Sequence, residues 1–110
     1  MEKAKINFSD FEKIDIRLRK VEEVERVSGS KILLKIRVDI GSGTKQSIAG
    51  LGGKYDINEL RGKIVAVVTN LQPKILGMES EVILLAALDD SVELGLLKTD
   101  RDMSVGLEVG

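Results

Sequence analysis

The chain has 110 residues, 43% of them hydrophobic, with 17 Lys and Arg against 18 Asp and Glu and no histidine, cysteine or tryptophan. That is enough for one modest core, and it removes thiol nucleophiles, disulfides, zinc sites built on Cys or His, and imidazole acid–base catalysis. No stretch reaches the roughly 18 apolar residues of a membrane span, and Met1 to Asp10 lacks a signal-peptide core, so a soluble cytoplasmic protein that does not engage membrane is expected.

Charge is unevenly distributed. Residues 1–55 carry 12 Lys and Arg against 8 Asp and Glu, a balance of +4, while residues 56–110 carry 5 against 10, a balance of −5. A local positive face is compatible with a net charge of −1, as is a mixed solubilising surface.

Val and Ile supply 22 of the 110 residues and there is one proline, which favours strands over a helical bundle. No repeat or linker divides the chain, so one domain over 1–110, with its core in 8–110, is expected. Phe8 to Lys13 reads as a short helical turn capped by Ser9, with Glu12 at capping-box spacing and Phe8 and Phe11 packing onto the core. Ile14, Ile16 and Leu18 then alternate with polar residues, and the apolar phase slips to Val21, Val24 and Val27. That slip predicts a bulge or strong bend in a long first strand.

After the turn Ser28-Gly29-Ser30, Ile32, Leu34, Ile36, Val38 and Ile40 mark one face of a second strand. Gly41-Ser42-Gly43 leads into a third strand, Thr44 to Ala49. Asp56 to Gly62 reads as a small helix, with Asp56 and Glu59 at capping-box spacing and Gly62 as its stop. Lys63 to Thr69 is a central strand buried on both faces. A loop, Asn70 to Ser80, separates it from a fifth strand, Val82 to Leu88, and a weaker sixth, Val92 to Leu97. Five or six strands, a bent first strand and a helix between the third and fourth predict an all-β, five-stranded OB-fold Greek-key barrel with short helices.

With no nucleophile–base constellation, binding is the expected activity. Lys35 and Arg37 share the polar face of the second strand, and Arg17 and Arg19 share one face of the first. Together they would make a phosphate-tracking surface, or else stand as ordinary strand residues paired with Asp15 and Asp39. Asn70, Lys74 and Ser80 offer an amide, a point charge and a hydroxyl, groups able to bond bases, sugars or phosphates. Turn chemistry is the alternative for Asn70 and Ser80. Lys45 and Gln46 are weaker candidates.

Phe8, Phe11 and Tyr55 are the only aromatic residues. Phe8 and Phe11 read as core and Tyr55 as helix packing, so any RNA recognition is expected to be of shape and backbone rather than by base stacking. Gly50-Leu51-Gly52-Gly53 is no dinucleotide fingerprint. Glu22-Glu23 and Asp89-Asp90 read as solvated acids, and neither a metal nor a cofactor is expected.

Specific stretches carry a family resemblance. They are Asp10 to Arg17, Lys31 to Val38, Ile48-Ala49-Gly50-Leu51, Tyr55 to Gly62, Val67 to Lys74, Gly77 to Ser80 and Leu84 to Ala87. Over nearly its whole length the chain resembles the tRNA-binding OB-fold domain appended to methionyl-tRNA synthetases. That domain also stands free as a bacterial structure-specific tRNA-binding protein and occurs in the endothelial monocyte-activating polypeptide. The resemblance maps tRNA-contacting positions onto Asn70, Lys74 and Ser80. It implies a tRNA partner, an aminoacyl-tRNA synthetase as associate, and a homodimer formed through terminal segments. Val105, Leu107 and Val109 give a partner chain an apolar alternation to cover, unless the tail folds back on its own barrel.

Lys45-Gln46-Ser47 and Ser80 to Leu84 are also similar to the CsaA protein-export chaperones, which implies an unfolded preprotein as the alternative partner. The synthetase-type loop reads Asn-Leu-Lys-Pro-Arg/Lys-Lys. Here Gln72 replaces the first lysine and the loop is one residue shorter, which leaves Lys74 as its only cation. Val82-Ile83 replaces the family's Gly-Met. Weaker tRNA binding with a flatter salt dependence is expected.

Overall fold

The computed structural model describes residues 2–75, 77–89 and 93–110. Its centre is a five-stranded antiparallel sheet in the order β3-β2-β1-β4-β7, curled into a barrel. The strands are β1 (Ile16–Arg26), β2 (Leu34–Asp39), β3 (Thr44–Ala49), β4 (Ile64–Val68) and β7 (Ile83–Leu84). Short pairs add β5 (Lys74–Ile75) with β6 (Glu79–Ser80), and β8 (Ala86–Leu88) with β9 (Leu94–Leu96). Two helices accompany them, α1 (Phe8–Glu12) and α2 (Ile57–Leu60).

The long first strand serves two partners in succession. Ile16 to Lys20 pairs with β4, and Lys20 to Arg26 pairs with β2. The predicted irregularity lies between Val21 and Glu23, where Glu22 is the extra residue. One extra residue reverses the side-chain parity. Before the bulge Val21 points into the core, and after it Val24 does. The even residues Ile16 and Leu18 stand opposite Val68 and Ala66, on the other face. There Leu18, Ala66 and Val68 are buried, yet none belongs to the main cluster.

That cluster collects Val21, Val24, Leu34, Ile36, Val38, Leu51, Leu60, Val65, Val67, Val82 and Leu84. Strand β2 alternates buried and half-buried positions, as its period-2 pattern predicts. Strand β4 is buried from Val65 to Val68 on both faces. Helix α2 has the predicted capping box of Asp56 and Glu59, and Gly62 follows at φ +82°.

Several expectations are corrected. Asn7, not Ser9, is the N-cap of α1, and it makes no side-chain capping bond. Phe8 and Phe11 are 72% and 36% exposed, with ring centroids 6.1 Å apart. They touch each other rather than the core, because β1 and β4 already fill the interior and α1 precedes the barrel. Ile32 lies outside β2 and is exposed. The stretch 70–80 is not all loop, since β5 and β6 pair within it. The fifth strand is broken into β7 and β8, because the Leu85 N–H donates to Ala66 O (2.9 Å) between them. Of the predicted sixth strand, Leu94–Leu96 pairs with β8, while Val92 lies outside the described residues, as does Asp90 of the acidic pair.

Candidate nucleic-acid interface

The free edge of β3 closes the barrel, and several candidate residues are consumed there. The Glu81 N–H donates to Gln46 O (2.8 Å), and the Gln46 N–H donates to the Glu81 carboxylate (3.0 Å). The Ile48 N–H donates to Ser80 Oγ (3.0 Å), and Gln46 Nε2 donates to Glu79 O (2.6 Å). Side chains thus supply what a continuous ladder would otherwise provide at this seam. Ser80 is buried, and its hydroxyl is engaged in closure.

Asn70 is similarly occupied. Its Oδ1 accepts from the Asp15 N–H (2.9 Å) and its Nδ2 donates to Lys13 O (2.7 Å). It therefore ties the end of β4 to the entry of β1. Beside it, the Thr69 hydroxyl donates to the Asp15 carboxylate and Arg17 Nε donates to the same group at 3.0 Å. The Thr69 bond, with Arg17 alongside, holds the Asp15 carboxyl below its ordinary value against the opposing effect of desolvation.

Parity divides the cations. Arg17 and Arg19 stand opposite Val67 and Val65, both core residues, so these arginines leave β1 on the core face, at the end of the barrel. Lys35 and Arg37 stand opposite Glu25 and Glu23, beyond the bulge and on the outer face. The expected single four-cation surface is therefore not formed, because the bulge separates its two halves. Arg17 instead binds the C-terminal segment, donating to Gly106 O (3.3 Å) and lying 3.8 Å from the Glu108 carboxylate. That segment folds back along β1: Gly106 N–H donates to Leu18 O (2.7 Å), Leu18 N–H to Leu107 O (3.0 Å) and Val109 N–H to Ile16 O (2.8 Å).

The outer face of β2 and β3 gathers Lys35, Arg37 and Gln46, since Arg37 stands opposite Gln46 and Lys35 opposite Ile48. Lys35 is paired with Glu25 at 3.3 Å. Arg37 and the exposed Lys74 make no ion pair among the described residues. A cleft of about 200 Å³ adjoins this face, lined by Ile48, Leu71, Lys74, Ser80 and Ile83. Lys45 is half-buried, opposite Val38 at the barrel rim. The site candidates thus fall into an outer face with its adjoining cleft, a rim position, and a terminal knot around Arg17 and Asn70.

Sequence reasoning missed the contribution of Glu81 to closure and the link from Thr69 to Asp15. It also missed a second cationic cleft, of about 310 Å³, lined by Lys63, Ile64, Lys98, Thr99, Arg101 and Met103. No local pattern announces it, since residues 62–64 and 98–103 meet only through the fold. Among the described residues no group of acids is arranged to hold a metal ion, and no helix is long and apolar enough to cross a membrane.

The family model described as "Putative tRNA binding domain" matches residues 16–108, which run from β1 to the folded-back tail. A methionine–tRNA ligase of Methanococcus vannielii is 48% identical over 105 residues, covering 94% of this chain and 16% of that protein. The chain thus spans about a sixth of the length of the curated relatives it matches. A MetRS-related protein from Pyrococcus horikoshii superposes with a TM-score of 0.86 at 27% identity, covering 98% of this chain and 100% of that one. The chaperone CsaA of Picrophilus torridus superposes at 0.84 with 32% identity, covering 96% of this chain and 100% of that one. The chain belongs to the tRNA-binding domain family.

Proposed function

We propose that this chain is a non-catalytic tRNA-binding module that works in the cytoplasm with methionyl-tRNA synthetase, holding tRNA by its shape and backbone and raising its effective concentration at the enzyme. The carrying observation is the family match over 16–108, joined to relatives that are methionine–tRNA ligases. Lys35, Arg37, Lys45 and Lys74 contact phosphates. Asn70, Ser80 and Arg17 act one step back, since their polar groups hold the loops and the tail that frame the surface. No cofactor takes part.

The test is binding of total tRNA by fluorescence anisotropy, titrated from low to physiological salt. The expected result is a salt-dependent affinity whose log–log slope flattens by about 0.7–0.9 for each phosphate contact removed, Lys35→Ala and Lys74→Ala being the first variants. Binding that is absent, or insensitive to salt, overturns the reading.

The module acts as a homodimer. The tail folds back along its own β1, yet Phe8, Phe11, Ile14, Val105 and Leu107 remain exposed around the termini, which is the area a second copy would cover. Sedimentation showing only a 12.0 kDa species would defeat this. A second reading, as a chaperone for unfolded preprotein, is favoured by the apolar character of the cleft at Leu71 and Ile83. Capture of unfolded peptide without tRNA binding would make it the better one.

A further inference from the structure

The outer face of the barrel does not end at β2. In register, Lys20 stands opposite both Asp39 of β2 and Ile64 of β4, so one row crosses the sheet beside the row of Arg37 and Gln46. Ile64 is also a wall of the second cationic cleft, with Lys63, Lys98 and Arg101 around it. From β3 to β4 is three strand spacings, about 14 Å. Arg37, the exposed Lys20 and the cleft cations therefore lie along one track across the outer face.

The cleft stands on a fixed frame. Lys63 Nζ lies 5.9 Å from the Tyr55 ring centroid, and the Tyr55 hydroxyl accepts from the Leu96 N–H at 3.0 Å. The next residue, Leu97, donates to Leu85 O (3.0 Å) and accepts from the Ala66 N–H (3.0 Å), which fixes the chain just before Lys98. The Thr99 hydroxyl donates to Arg101 O (2.7 Å) and closes the turn that carries Arg101.

Three of the five cations in the acidic half, residues 56–110, line this one cleft. Its local acids leave it positive: Asp102 lines it, and Asp100 lies 3.7 Å from Arg101 with both side chains largely in water, where such a pair is weak. Asp39, along the track, already accepts from the Gly41 N–H at 2.7 Å.

We propose that the cleft of Lys63, Lys98 and Arg101 is a second phosphate site, which takes a backbone phosphodiester of the same RNA that crosses the outer face. This rests on the tRNA-binding reading and extends its footprint to a segment of the chain where no contact had been assigned. A held phosphate there neutralises the clustered cations and adds its own released counterions. Ile64 and Met103 give the adjoining ribose an apolar wall.

The experiment compares the salt dependence of total-tRNA binding for the intact protein, the double variant Lys98→Ala/Arg101→Ala, and a control of equal charge loss, Lys3→Ala/Lys5→Ala, in the exposed N-terminal segment. Unchanged far-UV circular dichroism and melting establish that each is folded. The expected result is a slope flatter by about 0.7–0.9 for the cleft variant, the loss of one phosphate contact, hence affinity lower by about 5–8-fold at 0.1 M salt, with a much smaller change for the control. Two results overturn the site while leaving the tRNA-binding reading intact: a cleft variant with the slope of the intact protein, or a control that flattens equally. Failure of the intact protein to bind tRNA defeats both.

Discussion

Replacing Ser80 with alanine separates a barrel-closing role from a nucleic-acid contact. Ser80 Oγ accepts the Ile48 N–H at 3.0 Å, and both residues are buried, at 9% and 5% exposure. Deleting the hydroxyl leaves a buried backbone donor with no partner at the seam between β3 and β6, which costs about 1–3 kcal/mol. Two bonds nearby, from Glu81 N–H to Gln46 O and from Gln46 N–H to the Glu81 carboxylate, keep the seam shut, so the variant folds. With an unfolding entropy of about 2.1 cal/mol/K per residue, a chain of this size loses about 4 °C of melting temperature per kcal/mol. A loss of about 4–12 °C is expected. Calorimetry supplies the melting temperature, and tRNA anisotropy well below it supplies the affinity. Affinity should stay within about two-fold of the intact protein. A Ser80→Ala variant of unaltered melting temperature that binds tRNA ten-fold more weakly would refute this reasoning and put the hydroxyl on the RNA.

Two further outcomes follow from named contacts. Thr69→Val removes the hydroxyl that donates to Asp15 and keeps the shape of the side chain; the bond to a charged acceptor is worth about 1–2 kcal/mol at a site one-third exposed. Because the folded-state value of Asp15 is lowered, this stability is fully present above the unfolded value of 3.8 and is lost as pH falls through the lower folded value. Urea denaturation should therefore show the gap between variant and intact protein at pH 7 and a smaller gap near pH 3; an equal gap at both would be the wrong sign of evidence for an ionised acceptor. Gly52→Ala places a Cβ 2.9 Å from Ile32 O, a backbone atom held by the 2.7 Å bond from the Gly52 N–H. The β1–β2 connection has to shift, and a loss of about 1–3 kcal/mol in urea denaturation is expected; a neutral result would mean that Ile32 moves freely.

The elements that follow a single period were legible from sequence. The alternation of Leu34, Ile36 and Val38 and the doubly buried run of β4 stand where the pattern puts them, because burial on one face or on both enforces those patterns directly, whereas Thr44–Ala49 has no such period and was marked by the Gly41-Ser42-Gly43 turn before it. The slip near Val21 correctly announced a bulge. What it meant for Arg17 and Lys35 was not legible, since parity across a bulge depends on which residue is extra. Phe8 and Phe11 misled for another reason. Hydrophobicity says that a side chain prefers cover, and it does not say whether its own chain supplies that cover. The two short pairs between 74 and 96 are set by tertiary hydrogen bonds, such as those of Leu85 and Leu97 to distant carbonyls, which leave no periodic trace. For Asn70 and Ser80 the side-chain chemistry left both binding and turn chemistry open, and only their partners show that both side chains are engaged with backbone.

A single extra residue, Glu22, organises how surfaces are allotted along β1. On its N-terminal side the odd positions face the core end, and Arg17 is drawn to Asp15, Gly106 and Glu108. That half of the strand is thereby committed to holding the tail and the apolar residues around the termini. On its C-terminal side the odd positions turn outward, and Glu23 and Glu25 lie against Arg37 and Lys35. These acids moderate the positive face: Lys35 already has a partner at 3.3 Å, and Glu23 also receives Arg61 at 4.0 Å. An RNA that binds here displaces partly exposed pairs at small cost but gains less from each cation than it would on an unpaired surface. A module so balanced needs phosphate contacts spread over several points rather than one intense patch. That requirement gives the cations at the far edge of the same face, around Ile64, physical weight in the binding of a long polyanion.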